Sequence, residues 1–313
     1  MRILCVGLMV CDISISPVTE NALAVDATPA NFIKVAVGGD AFNVASNLQA
    51  LGASPTFVSA VGTDRFAPLM LEYAGQLGIS SSYIQTLPGA SSVTAILIHE
   101  DGERNFIVQR GASHFLTEEN ISDELLLAHD LLYIGSACDL PGLDGDGMRT
   151  LFRRAKAHGV KLAMDVTGNP SGALKERMKS VLSQLDLFLP SLHEAQSLSG
   201  YEEPQQIAAY FHKLGIPVLA IKMGKAGAYL SCREFEGCLP TYPGRVVDTT
   251  GAGDAFVSGF LAAYSRGMDF IHAAQFGNAA GTVCVGKIGS SGNLESLEQL
   301  LQVINSAPAE RRS

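Results

Sequence analysis

The sequence contains no tryptophan, few charged residues and no apolar run approaching the length of a membrane span. Charged side chains make up 17% of the chain against 47% hydrophobic, which excludes a chain kept disordered by its own repulsion. Basic residues are scarce: 22 Lys and Arg face 31 Asp and Glu, for a formal net charge of −9. An acidic surface repels phosphates, so neither nucleic acid nor an anionic membrane is an expected partner, although a local positive site for one nucleotide remains compatible. No pair among Cys5, Cys11, Cys138, Cys232, Cys238 and Cys284 has C-x-x-C spacing. The pattern predicts buried, reduced thiols in a cytoplasmic protein. Metal ligation by Cys232 and Cys238 lacks the histidines that finger spacing would supply. The start, Met1 to Gly7, is apolar but runs into Asp12 without a small-residue cleavage site, which predicts a first strand rather than a signal peptide. Repeats and low-complexity segments are absent, and the tail 307–313 is expected to fray.

What is present is a strand–helix alternation over 313 residues. Apolar runs predict strands at Ile3–Gly7, Thr56–Ala60, Leu131–Ile134, Lys161–Asp165, Leu185–Leu189 and Val218–Lys222. Between them, helical patterns cover Ala41–Leu51, Arg65–Leu77, Asp144–His158, Gly172–Leu182 and Pro204–Leu214. Continuous apolar strands alternating with helices predict an α/β fold, with a doubly wound, mostly parallel sheet flanked by helices. Two stretches break the rhythm. Residues 12–37 carry little helical pattern, and Ser92–Ile98 with Arg104–Val108 alternate around Glu100-Asp101-Gly102, the signature of a hairpin. They predict a small β-sheet lid from 12–37 and 92–109, beside a core of 1–11, 38–91 and 110–313. The last third reads as helices at about 253–265, 269–285 and 294–305.

The segment Asp248-Thr249-Thr250-Gly251-Ala252-Gly253-Asp254 carries the most chemistry. Gly251 and Gly253 let backbone N–H groups converge, and the segment opens a helix whose free N–H groups and dipole favour an anion. Asp254 stands at that helix start. A carboxylate beside an anion site is costly unless it works, and a general base is such work. The plain alternative is an Asp N-cap behind a glycine turn. The segment is not a Walker loop, because no Gly-Lys-Ser/Thr follows. It is not a dinucleotide fingerprint, because it lies late and lacks the third glycine. A nicotinamide dehydrogenase would need Gly-x-Gly-x-x-Gly after the first strand, where the chain has Gly7-Leu8-Met9-Val10-Cys11-Asp12.

Asp248 through Phe260 resembles the C-terminal signature of the ribokinase-like (PfkB) carbohydrate kinases. Gly38-Gly39-Asp40-Ala41-Phe42-Asn43 resembles the N-terminal Gly-Gly signature of that family. Val61-Gly62-x-Asp64, Lys222-Met223-Gly224-x-x-Gly227 and Gly277-Asn278-Ala279-Ala280 are similar to further family motifs, in order and over nearly the whole chain. The resemblance implies a kinase that moves the γ-phosphoryl group of ATP, with magnesium, to a hydroxyl of a free sugar or close derivative. A nucleoside kinase of the same fold, or a non-catalytic sugar- or nucleoside-binding module, is the alternative. It implies Asp254 as general base and the N–H groups of Gly251, Ala252 and Gly253 as an anion hole. Asp12, Gly38, Gly39, Asp40, Asn43, Arg110 and Asp165 would face the substrate, although Asp12 could cap a strand and Asp40 a helix. Lys222, Gly224, Gly227 and Asn278 would face the nucleotide. Glu194 would reach magnesium through water, and Asp248 and Thr250 would hold a monovalent cation such as potassium; without the resemblance Asp248 reads as an Asx-turn residue. A homodimer through the lid is also implied.

Two departures are visible. The family's usual Asn-x-x-Glu is Ser191-Leu192-His193-Glu194 here, which also reads as a capping box. After the fourth strand, Asp165-Val166-Thr167-Gly168-Asn169-Pro170 lacks the arginine that some sugar-acid kinases carry, so a carboxylate-binding role there is unsupported. Arg104 and Arg110 flank the lid strand, and an inward arginine could clamp an acidic sugar.

Overall fold

Runs such as Ile3–Val6 and Leu131–Ala137 are buried throughout, as interior strands with helices on both faces must be. The computed structural model describes residues 1–100, 103–168, 170 and 172–306. The expected Asp101-Gly102 turn, Asn169 and the expected frayed tail lie outside the described residues. Thirteen strands are described: β1 (Ile3–Val6), β2 (Val10–Ser16), β3 (Phe32–Gly38), β4 (Thr56–Val61), β5 (Ile84–Thr86), β6 (Val93–Ile98), β7 (Arg104–Gln109), β8 (Leu131–Ala137), β9 (Lys161–Val166), β10 (Leu187–Phe188), β11 (Val218–Lys222), β12 (Ala228–Ser231) and β13 (Glu236–Leu239).

Nine of them form one sheet in the order β13-β12-β11-β10-β9-β8-β1-β4-β5. Pairing is parallel from β11 to β5, and the far edge is an antiparallel hairpin, β12–β13. That hairpin and β5 were not expected from the sequence, because four-residue and three-residue strands carry almost no periodicity. Alternation along β1 builds the two layers. Ile3 and Cys5 point to the layer that holds helices Asp40–Ala50, Phe66–Gln76, Ala252–Ser265 and Phe270–Val285. Leu4 and Val6 point to the layer of Asp146–Ala157, Gly172–Leu182, Leu192–Ser199 and Pro204–Lys213. Strand order reverses at β1, between β8 on one side and β4 on the other, so a crevice opens at the carboxyl ends of these strands.

The second sheet has the order β3-β2-β6-β7, with two antiparallel hairpins joined by parallel β2–β6 pairing. It draws on the two stretches that broke the helical rhythm. One of its faces carries Asp12 and Arg104 toward the crevice; the other carries Ile33, Val35 and Ile107.

Candidate active site

The loop 248–254 folds as its glycines allow. Gly251 has φ +75°, and a Cβ there would lie 2.7 Å from the Ser290 Cα, so no other residue fits without displacing backbone. The helix then begins at Ala252, with Gly251 as its N-cap and no side-chain cap bond. Asp254 therefore does not cap. It is buried in the first turn, and its Oδ2 accepts a 2.7 Å hydrogen bond from Asn43 Nδ2, which ties helix 252–265 to helix 40–50. Burial and the neighbouring Asp40 push the Asp254 carboxyl well above the usual carboxylate range, and Asp165 adds to this. Asn43 and Lys222 pull the other way.

The Gly-Gly turn brings three further groups alongside. A Cβ on Gly38 would collide with Asp12 Oδ2, so the carboxylate of Asp12 lies directly over that glycine. Gly39 has φ +99°, and a Cβ there would be 2.6 Å from the Leu8 carbonyl oxygen. Asp40 opens helix 40–50 but caps nothing. Its Oδ2 instead accepts from Ser136 Oγ at 3.0 Å and from the Thr167 hydroxyl, so β8 and the end of β9 hold it. Burial and Asp40 raise the Asp12 carboxyl to about 7. Asn43 is almost fully buried; its Nδ2 donates to Asp254, while its Oδ1 has no hydrogen-bond partner among the described residues.

Asp165 and Lys222 stand near the carboxyl ends of β9 and β11, on either side of short β10, and their side chains form a buried ion pair. A Cβ on Gly253 would lie 3.4 Å from Lys222 Nζ, which puts this ammonium group against the loop. Burial would drive the amine toward its neutral form, but Asp165, Glu194 and Asp254 outweigh it and keep Lys222 protonated. Asp165, assigned by resemblance to the substrate, is thus first of all the anchor of Lys222. Glu194 forms a capping box with Ser191: its Oε2 accepts from the Ser191 N–H at 2.7 Å, and the Ser191 side chain caps in return.

The motif after β11 makes a tight turn. Gly227 has φ +90° where it packs on the Leu239 carbonyl, and Gly224 has φ +56°. Asn278 donates its amide to the Leu239 and Pro240 carbonyl oxygens at 2.9 and 3.2 Å, so it fixes the 239–240 segment. Arg110 is 62% exposed in its side chain and bonds Asp139 at 2.7 Å. Together with Cys138, Thr167, Gly168 and Leu174 it lines a cavity of about 470 Å³ that continues outward from Asp40. That volume suits a small-molecule site, typically about 300–1,000 Å³.

Asp248 and Thr250 face each other: the Thr250 hydroxyl and N–H both donate to Asp248 Oδ1, at 2.6 and 2.9 Å. Gly289 N–H donates to Oδ2 at 3.0 Å, and Arg104 Nη1 donates to Oδ1 at 3.0 Å. Burial alone would raise the Asp248 carboxyl; Thr250, Gly289 and Arg104 outweigh it and hold it low. All six cysteines are free, and no cluster of three or more His, Cys, Asp or Glu suited to a metal occurs among the described residues. Sequence reasoning missed Ser136 and Thr167, which support Asp40, and weighed Arg104 only as a clamp for an acidic sugar. A lone Ser, Thr or Arg in a strand or loop carries no local signature.

The description "pfkB family carbohydrate kinase" matches residues 1–297. The chain is 29% identical to a ribokinase of Staphylococcus aureus over 275 residues, covering 85% of this chain and 87% of the other. It is 30% identical to a cytidine kinase of Thermococcus kodakarensis over 235 residues, 74% of this chain and 81% of the other. A ribokinase II from E. coli, solved in complex with ATP and Mg²⁺, superposes with a TM-score of 0.84 at 22% identity, over 97% of this chain and 99% of that one.

Proposed function

The chain belongs to the pfkB family of carbohydrate kinases, which are phosphotransferases with an alcohol acceptor, and we propose that it transfers the γ-phosphoryl group of ATP to a hydroxyl of a free sugar or close derivative. The observation that carries the proposal is the placement of Asp254. It is buried and held by Asn43 at the start of a helix whose glycine loop can hold an anion, and burial and the charge of Asp40 raise its carboxyl.

The acceptor would lie between Asp12, Asp40 and the Gly38-Gly39 turn. Paired carboxylate oxygens suit polyol hydroxyls. Ionised Asp254 would take the proton of the reacting hydroxyl as its oxygen forms the new O–P bond. The bond from the γ-phosphorus to the bridging oxygen breaks, and ADP leaves. The N–H groups of Gly251 and Gly253, the helix dipole and the Lys222 ammonium would hold the negative charge of the moving group, joined by the Ala252 N–H if it gives up its 3.3 Å bond to the Thr249 carbonyl oxygen. Gly224 and Gly227 would shape the nucleotide side, with Asn278 behind them. Magnesium fits through water at Glu194, whose second oxygen accepts no hydrogen bond among the described residues; when bound, it would neutralise phosphate charge. The monovalent cation that the resemblance assigns to Asp248 and Thr250 does not fit as well, because both oxygens of Asp248 already have partners.

A nucleoside acceptor is the second reading. The cavity beyond Asp40 and the similarity to a cytidine kinase favour it. A cytoplasmic location, where ATP is abundant, is part of the same proposal. A second copy of the chain is the proposed cover for the outer face of the small sheet, where Ile33 and Ile107 are 67% and 59% exposed. The test is turnover with magnesium and ATP against free pentoses, hexoses, sugar acids and nucleosides including cytidine. A folded protein that binds a sugar or nucleoside from this panel but phosphorylates none would mean a binding module, not a kinase.

A further inference from the structure

We propose that Arg104 is a built-in cation: its guanidinium, carried on the lid, does for the Asp248 loop what a free monovalent ion would otherwise do. The inference rests on the kinase reading of the loop and goes beyond it. Asp248 lies six residues before Asp254 and two before Thr250, in the loop that must accept the charge of a phosphoryl group. A carboxylate held ionised at that point repels the incoming phosphate unless a positive charge offsets it.

Arg104 supplies that charge from the small sheet. It is the first residue of β7, paired with Ile98 across the hairpin. Its Nη1 donates to Asp248 Oδ1 at 3.0 Å and its Nη2 donates to Thr249 Oγ1 at 3.2 Å. The two side chains of the ion pair are only 25% and 20% exposed, so solvent screens them less than a surface pair. The planar fork reaches carboxylate and hydroxyl together from one fixed geometry. Of the other cations, Lys287 is committed to Glu295 and the Asn293 carbonyl oxygen, and Arg245, three residues before Asp248, is exposed.

A tethered cation differs from a free ion in two measurable ways. Its occupancy does not depend on the salt present, and it arrives with the lid. Arg104 thereby joins closure of the small sheet to neutralisation of the loop. Removing it should expose Asp248 and create a need for an outside ion.

The experiment compares wild type, Arg104→Gln and Arg104→Lys in potassium chloride and in tetramethylammonium chloride at equal ionic strength. One readout is phosphorylation of whichever acceptor the panel identifies. The second is the rise in Tm produced by magnesium and a non-hydrolysable ATP analogue, which needs no turnover. Wild type is expected to behave alike in both salts. Arg104→Gln is expected to lose about tenfold in activity and nucleotide affinity in tetramethylammonium, the equivalent of one charged hydrogen bond, and to regain most of it in potassium. Arg104→Lys keeps the charge and is expected to stay indifferent to the salt, which also controls for a misfolded Gln variant. A wild-type protein that loses activity or thermal shift in tetramethylammonium would overturn the proposal, and so would an Arg104→Gln protein indifferent to the salt. If no acceptor is phosphorylated but the thermal shift follows the expected pattern, the kinase assignment fails while the Arg104 assignment stands.

Discussion

Asp254→Asn separates a general base from a structural aspartate. The substitution keeps the size of the side chain, and the new amide oxygen can still accept from Asn43 Nδ2, now 2.7 Å from Oδ2. The bond from Ser258 Oγ goes to the Asp254 backbone carbonyl and is untouched. The helix is capped by Gly251, so no cap is lost. The folded wild type carries a cost at this position, because burial and Asp40 raise the carboxyl pKa. For a raised carboxyl the stability is full below the unfolded pKa and is lost as pH rises through the folded one. Removing the charge should therefore leave Tm unchanged or higher at neutral pH.

Turnover should move the opposite way, because an amide cannot accept the acceptor's proton. Loss of a general base typically costs about 10²–10⁴-fold in rate, or roughly 3–5 kcal/mol of barrier. Nucleotide affinity should hold or rise slightly, since a negative charge beside the phosphate site is gone. The pH profile gives an independent check. Asp254 works only when ionised, and its raised pKa shifts the acid limb of kcat/KM toward neutrality; that limb should vanish in the variant. The assays are coupled ADP release, nucleotide titration and thermal unfolding on the same preparation. A folded Asp254→Asn protein turning over near the wild-type rate would refute the reasoning, and with it the role of the whole loop.

Asp12→Asn should stabilise the protein progressively as pH rises from about 4 to about 8, because the wild-type carboxyl is raised to about 7 by burial and Asp40; a full shift corresponds to at most about 4 kcal/mol. Urea unfolding at the two ends of that range checks it, and equal wild-type and variant stability at pH 8 contradicts it. The same variant should bind sugar more weakly, so stability and affinity move in opposite directions. Arg110→Ala should lower turnover of a sugar acid by about tenfold or more and leave a neutral sugar nearly unchanged, as expected for a charged hydrogen bond; unchanged sugar-acid kinetics would remove Arg110 from the site. If the small sheet closes over the acceptor, sugar should slow hydrogen exchange in 32–38 and 93–98, and unchanged exchange there would argue against closure.

The parts of this protein legible in the sequence are those encoded contiguously. Apolar runs between helical patterns specify a parallel sheet because both faces must be covered. Gly251 carries its own geometry, since only glycine tolerates the turn there, and the helix with Gly253 and Asp254 starts at once. What was illegible depends on distant pairings. Asn43 meets Asp254 across 211 residues, Lys222 meets Asp165 across 57, and Arg104 meets Asp248 across 144. The partners of each pair sit on different strands, loops or helices, and only the folded topology brings them together. The family resemblance implies Asp165 as a substrate contact and Lys222 as a nucleotide contact, and it carries no information on their mutual ion pair. The fold gives four carboxylates of the crevice a partner from elsewhere in the chain: Asn43 for Asp254, Lys222 for Asp165, Arg104 for Asp248, and the Ser136 and Thr167 hydroxyls for Asp40. The fifth, Asp12, has no side-chain hydrogen-bonding partner among the described residues, and burial and Asp40 raise its carboxyl to about 7. If Asp12 binds the acceptor as proposed, the hydroxyls of the sugar would supply the donors that its carboxylate lacks among the described residues.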